Sequence, residues 1–163
     1  NELDKKFLAN QVKKPKGITQ LLNAIKDIDK HSVSFDELIP NYDLKIYPII
    51  IYTDTTFGVE GVNKYYNEKF NEEVRSLALQ NVNVKDVVFI NLNYFELHQD
   101  YLNLKYLDIF KLLDSYIEHI SNINYSSTPF EVFSRFYMKK NVQEELATIT
   151  SFKQLLNSII TAK

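Results

Sequence analysis

Two continuous apolar runs dominate the pattern of hydrophobic and polar positions. They cover residues 45–53 and 84–92, and both are rich in β-branched and aromatic residues. Runs of this length are too short for buried helices, so they predict two strands. Because the run at 45–53 does not alternate apolar with polar residues, we expect both of its faces to be covered, as in a parallel sheet between helices.

Pro48 lies inside the first predicted strand and has no N–H to donate to a ladder. Either pairing begins at Ile49, which we favour, or the strand lies near the edge of the sheet. The position of this proline therefore predicts where the paired part of the strand starts.

Helical periodicity occurs on both sides of the first strand. Apolar residues between Ile18 and Ile28 recur at helical spacing and predict a helix over 16–30. Those between Val59 and Leu77 predict an amphipathic helix over about 60–80, which ends near Asn81. Strand, helix and strand together make a βαβ unit, whose two strands should be parallel.

The last third of the chain is helical in pattern. Asn93-x-x-Glu96 predicts a cap for a short helix, and Thr128-Pro-Phe-Glu131 predicts a helix start with a Thr cap, Pro in the first turn and Glu at the third position. Ser34-x-x-Glu37 predicts a short capped turn, and a last helix is expected from Ser151. One longer helix has a predicted apolar stripe made of Leu107, Phe110, Leu113, Ile117 and Ile120.

These elements predict an α/β fold: a short parallel sheet with a βαβ unit flanked by helices, and a helical C-terminal third. The 163 residues fit a single domain, with an approach segment at 1–15, an α/β core at 16–92 and a helical part at 93–163. The sequence starts at Asn1 rather than at Met, so we expect it to be a piece of a longer chain.

Composition excludes several classes of function. The 19 basic and 21 acidic residues give a net charge of -2, which is unlike a duplex-DNA binder as a whole. There is no cysteine, and the three glycines form no phosphate-binding loop and no nucleophile elbow. No apolar run approaches the length of a membrane span, so we expect a cytoplasmic protein with no membrane partner.

Few residues suggest chemistry. Asp54 follows the first strand, where ligands bind in open α/β sheets, so it could hold Mg²⁺ or act as a base. We favour a simpler interpretation, in which Asp54 is a turn residue that satisfies local backbone N–H groups. His31, His98 and His119 have no carboxylate or second histidine at a spacing typical of zinc sites.

A basic cluster precedes the first helix. Lys13, Lys14 and Lys16 could contact phosphates, helped by the positive end of the helix dipole, although a solvated flank explains them as well. Gln20 lies one turn into the same helix. These four residues are the predicted nucleic-acid-binding positions.

The motif Lys14-x-Lys16-Gly-Ile-x-Gln20, the strand Tyr-Pro-Ile-Ile-Ile-Tyr-x-Asp, Gly61-Val-Asn63 and the second strand together resemble the C-terminal half of uncharacterised bacterial proteins of the PD-(D/E)xK nuclease-like superfamily. In that superfamily a strand bearing Glu-x-Lys or Asp-x-Lys precedes a helix that presents a Gln or Lys to the active site. Lys16 and Gln20 are the positions that could correspond. The resemblance covers about residues 13–95.

This chain departs from the superfamily pattern upstream of its first helix. The metal-binding Asp and the (D/E)-x-Lys strand should precede residue 16, where Asp4-Lys5-Lys6 has the right letters but no apolar strand around it. The resemblance therefore implies a nuclease-related portion without its catalytic carboxylates, with Mg²⁺ as the cofactor of the parent protein. Nucleic-acid binding by this chain should then be weak.

A second hypothesis is a non-enzymatic interaction or structural module. The chain holds eleven Tyr and eleven Phe, and aromatic residues are favoured at protein interfaces. Most of them fit the core stripes of predicted helices, which is the simpler explanation. The partner in this hypothesis is another protein or a second copy of the chain.

Overall fold

The computed structural model describes residues 17–30, 44–103 and 107–141. The helices in these ranges are α1 (Ile18–Asp29), α2 (Val62–Ser76), α3 (Leu92–Asn103), α4 (Ile109–Ser121) and α5 (Phe130–Asn141). The strands are β1 (Leu44–Ile46), β2 (Ile49–Tyr52), β3 (Val82–Val84) and β4 (Val88–Asn91). These elements confirm the predicted α/β class and the helical C-terminal part. In the described ranges, no helix is long and apolar enough to cross a membrane.

Each predicted strand is divided into two short ones. β1 pairs with β3 in parallel, with Leu44 opposite Val82 and Ile46 opposite Val84, and β2 pairs with β4 in a second parallel sheet. Pairing thus begins at Leu44, so our prediction that it begins at Ile49 is wrong. Pro48 interrupts the ladder instead of delaying it, because pairing resumes on its far side.

Residues 85–87 form the matching interruption between β3 and β4. The backbone N–H of Lys85 still donates to Ile46 O at 2.9 Å, and that of Val88 donates to Pro48 O at 2.9 Å. Between them, the N–H of Val87 turns to the Asn67 side chain of α2, with 3.2 Å between Val87 N and Asn67 Oδ1. A helix side chain therefore replaces the strand as hydrogen-bond partner where the ladder breaks.

The two strands of the second sheet, β2 and β4, differ in burial. Val88, Phe89 and Ile90 of β4 are all buried, as expected for a strand covered on both faces. In β2, however, Ile51 is 55% exposed although its neighbours are buried. Our expectation of two covered faces is therefore wrong for β2, because successive side chains of a strand point to opposite faces and only one of these is covered.

The described residues form two compact units, and the chain passes between them three times. The first unit contains residues 17–30, 44–50 and 62–89, and the second contains 51–61, 90–103 and 107–141. The prediction of a single domain over 1–163 concerns cooperative folding and stays a prediction.

The first unit has its core on α1 and α2. The predicted apolar stripes are confirmed by the burial of Ile18, Leu22 and Ile25 on α1 and of Tyr66 and Phe70 on α2. The second stripe is wrong at Val59, which precedes α2 and is 56% exposed.

Helix α2 is shorter than the predicted 60–80. It ends at Ser76, and Ala78 has a φ of 48°, which leaves the right-handed helical region. The segment that follows is joined to the end of α1, because Asp29 Oδ1 accepts from Gln80 N at 3.0 Å and from Asn81 N at 2.7 Å.

The second unit has an aromatic core. The rings of Tyr94 and Tyr116 both meet the ring of Phe130 edge to face, at centroid distances of 5.1 Å and 5.3 Å. The predicted stripe of α4 is wrong at Phe110, which is 60% exposed. The buried face of α4 consists of Leu112, Leu113, Tyr116 and Ile120.

Helices α3 and α4 begin with side-chain caps. Asn91 caps α3, since its Oδ1 accepts from Asn93 N at 2.9 Å, so the predicted cap at Asn93 is two residues too late. Asp108 caps α4 by accepting from Phe110 N at 3.0 Å and Lys111 N at 3.2 Å. The cap of α3 is therefore the last residue of β4.

Candidate functional site

A cavity of about 370 Å³ lies in the second unit at the carboxyl ends of β2 and β4. Tyr52 and Asn91, the last residues of these strands, contribute to its wall together with residues of α3 and α5. Ligands of open α/β sheets bind outside the carboxyl ends of the strands. The cavity therefore lies where the sheet topology predicts a ligand.

Glu131 connects the two strand ends. Its Oε1 accepts from the backbone N–H of Asn91 at 2.6 Å and from the hydroxyl of Tyr52 at 3.1 Å. Thr128-x-x-Glu131 is the predicted capping box, but the carboxylate turns away from its own helix start toward the strands. The predicted capping role of Glu131 is therefore wrong. Its carboxylate accepts from the Asn91 N–H and the Tyr52 hydroxyl instead of from a backbone N–H at the start of its own helix.

Two tyrosines keep their protons beside this carboxylate. Burial raises the pKa of Tyr52 well above its usual value, and the charge of Glu131 and the hydrogen bond to it raise this pKa further. Burial also raises the pKa of Tyr94 to about 12, with the Ser134 hydroxyl opposing and the Glu131 charge adding to the shift. Both phenols are therefore neutral hydrogen-bonding groups at physiological pH.

His98 stands on α3 with its ring edge on Tyr94, at a centroid distance of 4.5 Å. Its Nδ1 is buried and has no hydrogen-bond partner among the described residues. Burial lowers the pKa of His98, and the positive charge of Arg135 lowers it further. A neutral imidazole with an unused nitrogen thus lines the cavity.

Arg135 and Glu131 lie four residues apart on α5, and both line the cavity. A pair at this spacing normally shares one helix face, with 5–6 Å between Cβ atoms, and forms an ion pair. In the described part of α5, no ion pair joins the two side chains. Glu131 is held by the strand ends, so a carboxylate and a guanidinium remain separate on the same wall.

Gly58 lines the cavity next to Tyr52. A Cβ added at Gly58 would lie 3.0 Å from the Tyr52 hydroxyl oxygen, which is tighter than ordinary packing allows. The absence of a side chain here lets the phenol reach Glu131.

The hydroxyl of Ser134 in the cavity wall is held by the backbone. The Ser134 hydroxyl is buried and donates to the backbone carbonyl of Glu131 at 3.1 Å, so it is not activated by His98. Pro129, Leu97 and Val132 add an apolar part to the wall. A small ligand would meet a few convergent polar groups on an otherwise apolar surface, which is the usual composition of a binding pocket.

The predicted site residues have different outcomes. Lys13, Lys14 and Lys16 lie outside the described residues, as do His31 and the Asp4-Lys5-Lys6 triplet. Gln20 is exposed on α1 in the first unit, so it does not share the cavity. The turn interpretation of Asp54 is confirmed, because its Oδ1 accepts from Thr56 N at 3.0 Å and from Thr56 Oγ1 at 2.8 Å.

His98 and His119 line different cavities of the second unit. His119 stacks on Tyr125 at a centroid distance of 4.6 Å, on a different face of the second unit from His98. In the described residues, no group of three or more His, Asp or Glu side chains could hold a metal ion. Mg²⁺ binding by a longer parent protein stays a prediction.

Sequence reasoning missed Glu131, His98 and Arg135 as site residues. Glu131 was noticed in the sequence, but its place in the predicted capping box gave it a local structural explanation. The i, i+4 spacing of Glu131 and Arg135 also has a simple explanation, namely a surface ion pair. Only the long-range contact with Asn91 shows that the carboxylate faces a cavity, and no local pattern predicts it.

Comparisons of the chain with family models, with curated proteins and with solved structures find no match.

Proposed function

We propose that this protein is a non-enzymatic binding module whose second unit holds a small polar ligand in the cavity at the ends of β2 and β4. The observation that carries the proposal is the position of Glu131, whose carboxylate is fixed at the two strand ends. Both hydrogen bonds are accepted by Oε1, so the described residues leave Oε2 for a ligand.

Two further observations support a ligand. A buried nitrogen without a partner costs free energy of about 1–3 kcal/mol, and a ligand that draws His98 Nδ1 to the cavity surface by a rotation of the ring would remove that cost. The cavity volume of about 370 Å³ falls at the small end of the range for ligand sites, which favours a molecule of few atoms over a cofactor.

The test is a panel of amino acids, monosaccharides, nucleosides and dicarboxylates, added one at a time to the ¹⁵N-labelled full chain. We expect at least one compound to shift the amide signals of Asn91, Tyr94, His98 and Ser134 in a saturable manner. No saturable shift at these residues with any class of the panel would overturn the proposal.

A matched pair of variants localises the binding. Leu97 lines the cavity and is 76% exposed, whereas Ile123 is 75% exposed and lies outside the cavity. L97W should narrow the cavity mouth and weaken binding roughly tenfold, a loss of about 1.4 kcal/mol. I123W adds the same bulk and should leave affinity unchanged. Equal effects of the two variants would contradict the assignment.

We propose, as a second candidate, that the chain is the C-terminal portion of a nuclease-related protein and binds nucleic acid weakly. Its support is the basic cluster at residues 13–16 before α1, together with the exposure of Gln20 in the first turn of that helix. The positive end of a helix dipole favours phosphate at this position. The salt dependence of DNA binding tests it.

A further inference from the structure

The cavity wall holds two opposite charges that do not neutralise each other. Glu131 is drawn to the strand ends by Asn91 and Tyr52, and Arg135 lies one helical turn further along α5. Both line the same cavity. A cationic ligand would pair with Glu131 but would be repelled by Arg135, and an anionic ligand would pair with Arg135 but would be repelled by Glu131.

We propose that the ligand is a zwitterion, namely a free α-amino acid with an aliphatic side chain, whose ammonium binds Glu131 and whose carboxylate binds Arg135. This inference rests on the proposed function. Residues four apart on a helix have Cβ atoms about 5–6 Å from each other, so two long side chains at this spacing can reach the ammonium and the carboxylate of one α-amino acid.

His98 supplies the third polar contact. It is close enough to Arg135 for the guanidinium to lower its pKa, so the same end of the cavity presents a guanidinium and a neutral imidazole. The Nδ1 atom has no partner in the described chain. Because Nδ1 is buried, a rotation of the ring would have to bring it to the cavity surface, where as an N–H donor it would share the ligand carboxylate with Arg135. A bound carboxylate would in turn favour the protonated ring.

The apolar wall selects the side chain of the ligand. Leu97 is 76% exposed and Val132 is 42% exposed, and both line the cavity beside Pro129. An aliphatic side chain would cover these surfaces and remove apolar area from water, at about 25 cal/mol per Å². A charged side chain would gain nothing there, because the two charged groups of the wall are already used by the ammonium and the carboxylate.

The experiment compares L-leucine with two analogues that each lack one charge, by calorimetric titration of the full chain. 3-Methylbutylamine is leucine without its carboxylate, and 4-methylpentanoate is leucine without its ammonium. Because each lost contact is a hydrogen bond to a charged group, we expect each analogue to bind roughly tenfold or more weakly than leucine. Equal affinity of leucine and either analogue would overturn the zwitterion.

Two variants assign the charges to their residues. R135Q should weaken leucine and 4-methylpentanoate, whereas 3-methylbutylamine should bind at least as tightly as before, because the like charge of Arg135 is gone. E131Q should weaken leucine and 3-methylbutylamine, whereas 4-methylpentanoate should bind at least as tightly as before, because the like charge of Glu131 is gone. A merely structural role would change the affinities of all three compounds together. Arg135 is exposed, so R135Q should fold even if E131Q does not, and this arm alone decides the assignment.

The two proposals fail in different ways. If a monosaccharide or nucleoside shifts the signals of Asn91 and His98 while leucine does not, the zwitterion is wrong and the binding module stands. If no compound shifts them, both proposals are wrong. If leucine binds and R135Q weakens it and 3-methylbutylamine equally, the binding module stands and the charge assignment is wrong.

Discussion

At the scale of single residues, Glu131 shows how a side chain with a good local explanation can be used elsewhere. In isolation, the peptide around Thr128 and Pro129 would offer its glutamate a capping role. In the folded chain, the carboxylate of Glu131 instead accepts hydrogen bonds from the N–H of Asn91 at the end of β4 and from the hydroxyl of Tyr52. Both are donors in a partly buried setting, where an unmade hydrogen bond costs more than at an exposed helix start.

Removing one of these donors should cost measurable stability. Tyr52→Phe deletes the hydroxyl that donates to Glu131, and hydrogen bonds to charged groups contribute about 1.5–3 kcal/mol. Since Glu131 is only partly buried, we expect the free energy of unfolding to fall by about 1.5 kcal/mol. Urea unfolding followed by far-UV circular dichroism measures it.

Tyr125→Phe is the matched control for that variant. Tyr125 is 51% exposed, and its hydroxyl makes no hydrogen bond among the described residues. Its loss should change the free energy of unfolding by less than about 0.5 kcal/mol. If both substitutions cost the same, the Tyr52–Glu131 hydrogen bond contributes nothing to stability.

The residue scale is also where prediction from sequence was weakest. The role of Asp54 was predictable because its partner, Thr56, is two positions away. Glu131 and Tyr52 are 79 positions apart, and neither has a periodic or spacing signal that names the other. Side-chain partners at such separations depend on the packing of whole elements, so the pattern around each residue does not contain them.

At the scale of elements, the pattern of apolar residues predicted type and order correctly in the described residues, but not the breaks. The predicted capped turn at Ser34–Glu37 and the predicted helix from Ser151 lie outside the described residues and stay predictions. The runs at 45–53 and 84–92 pair in parallel and are connected in the chain through α2, as a βαβ unit requires. The interruption at Pro48 has a local cause that was visible in the sequence. The one at residues 85–87 has no proline or glycine, and it exists because the first interruption must be matched in the partner strand.

Helix α2 stabilises that second interruption. Asn67 Oδ1 accepts from Val87 N at 3.2 Å, and Asn71 Nδ2 donates to Asp86 Oδ1 at 2.8 Å. Asn67→Ala would leave the N–H of the buried Val87 without its partner, and an unsatisfied buried donor costs about 1–3 kcal/mol. We expect a loss of free energy of unfolding in this range, measured by urea titration.

Glu68→Ala provides the comparison for that substitution. Glu68 is exposed on α2, next to Asn67 in sequence, and alanine is the better helix former. The variant should be neutral or slightly stabilising. If both variants lose a similar free energy of unfolding, the loss comes from a change in helix stability and not from the missing contact with Val87.

At the scale of the whole molecule, charge separates the two candidate functions. The net charge of -2 gives no general attraction for nucleic acid, so any DNA affinity must come from a local basic cluster. The cavity at the ends of β2 and β4 lies in the second unit, whereas Gln20, one of the predicted nucleic-acid-binding residues, belongs to the first. The two functions can therefore be tested with variants that do not share residues.

Replacing Lys13, Lys14 and Lys16 together with glutamine should weaken binding to a short duplex DNA. If these lysines contact phosphates, the slope of log affinity against log salt should decrease in magnitude by about 0.9 for each lost contact. A control triple at Lys64, Lys85 and Lys139 changes the net charge equally and should leave the slope unchanged. The same slope for the native chain and the cluster variant would exclude a phosphate role.

The threefold passage of the chain between the two units has a consequence for synthesis on the ribosome. The segment 51–61 belongs to the second unit but is made before residues 62–89 of the first. Tyr52 must wait for Glu131, 79 residues later, which is roughly 4–16 s at translation rates of about 5–20 residues per second. In the first half of that interval β2 has been made but β4 has not, and an apolar strand without its neighbour is a substrate for chaperones.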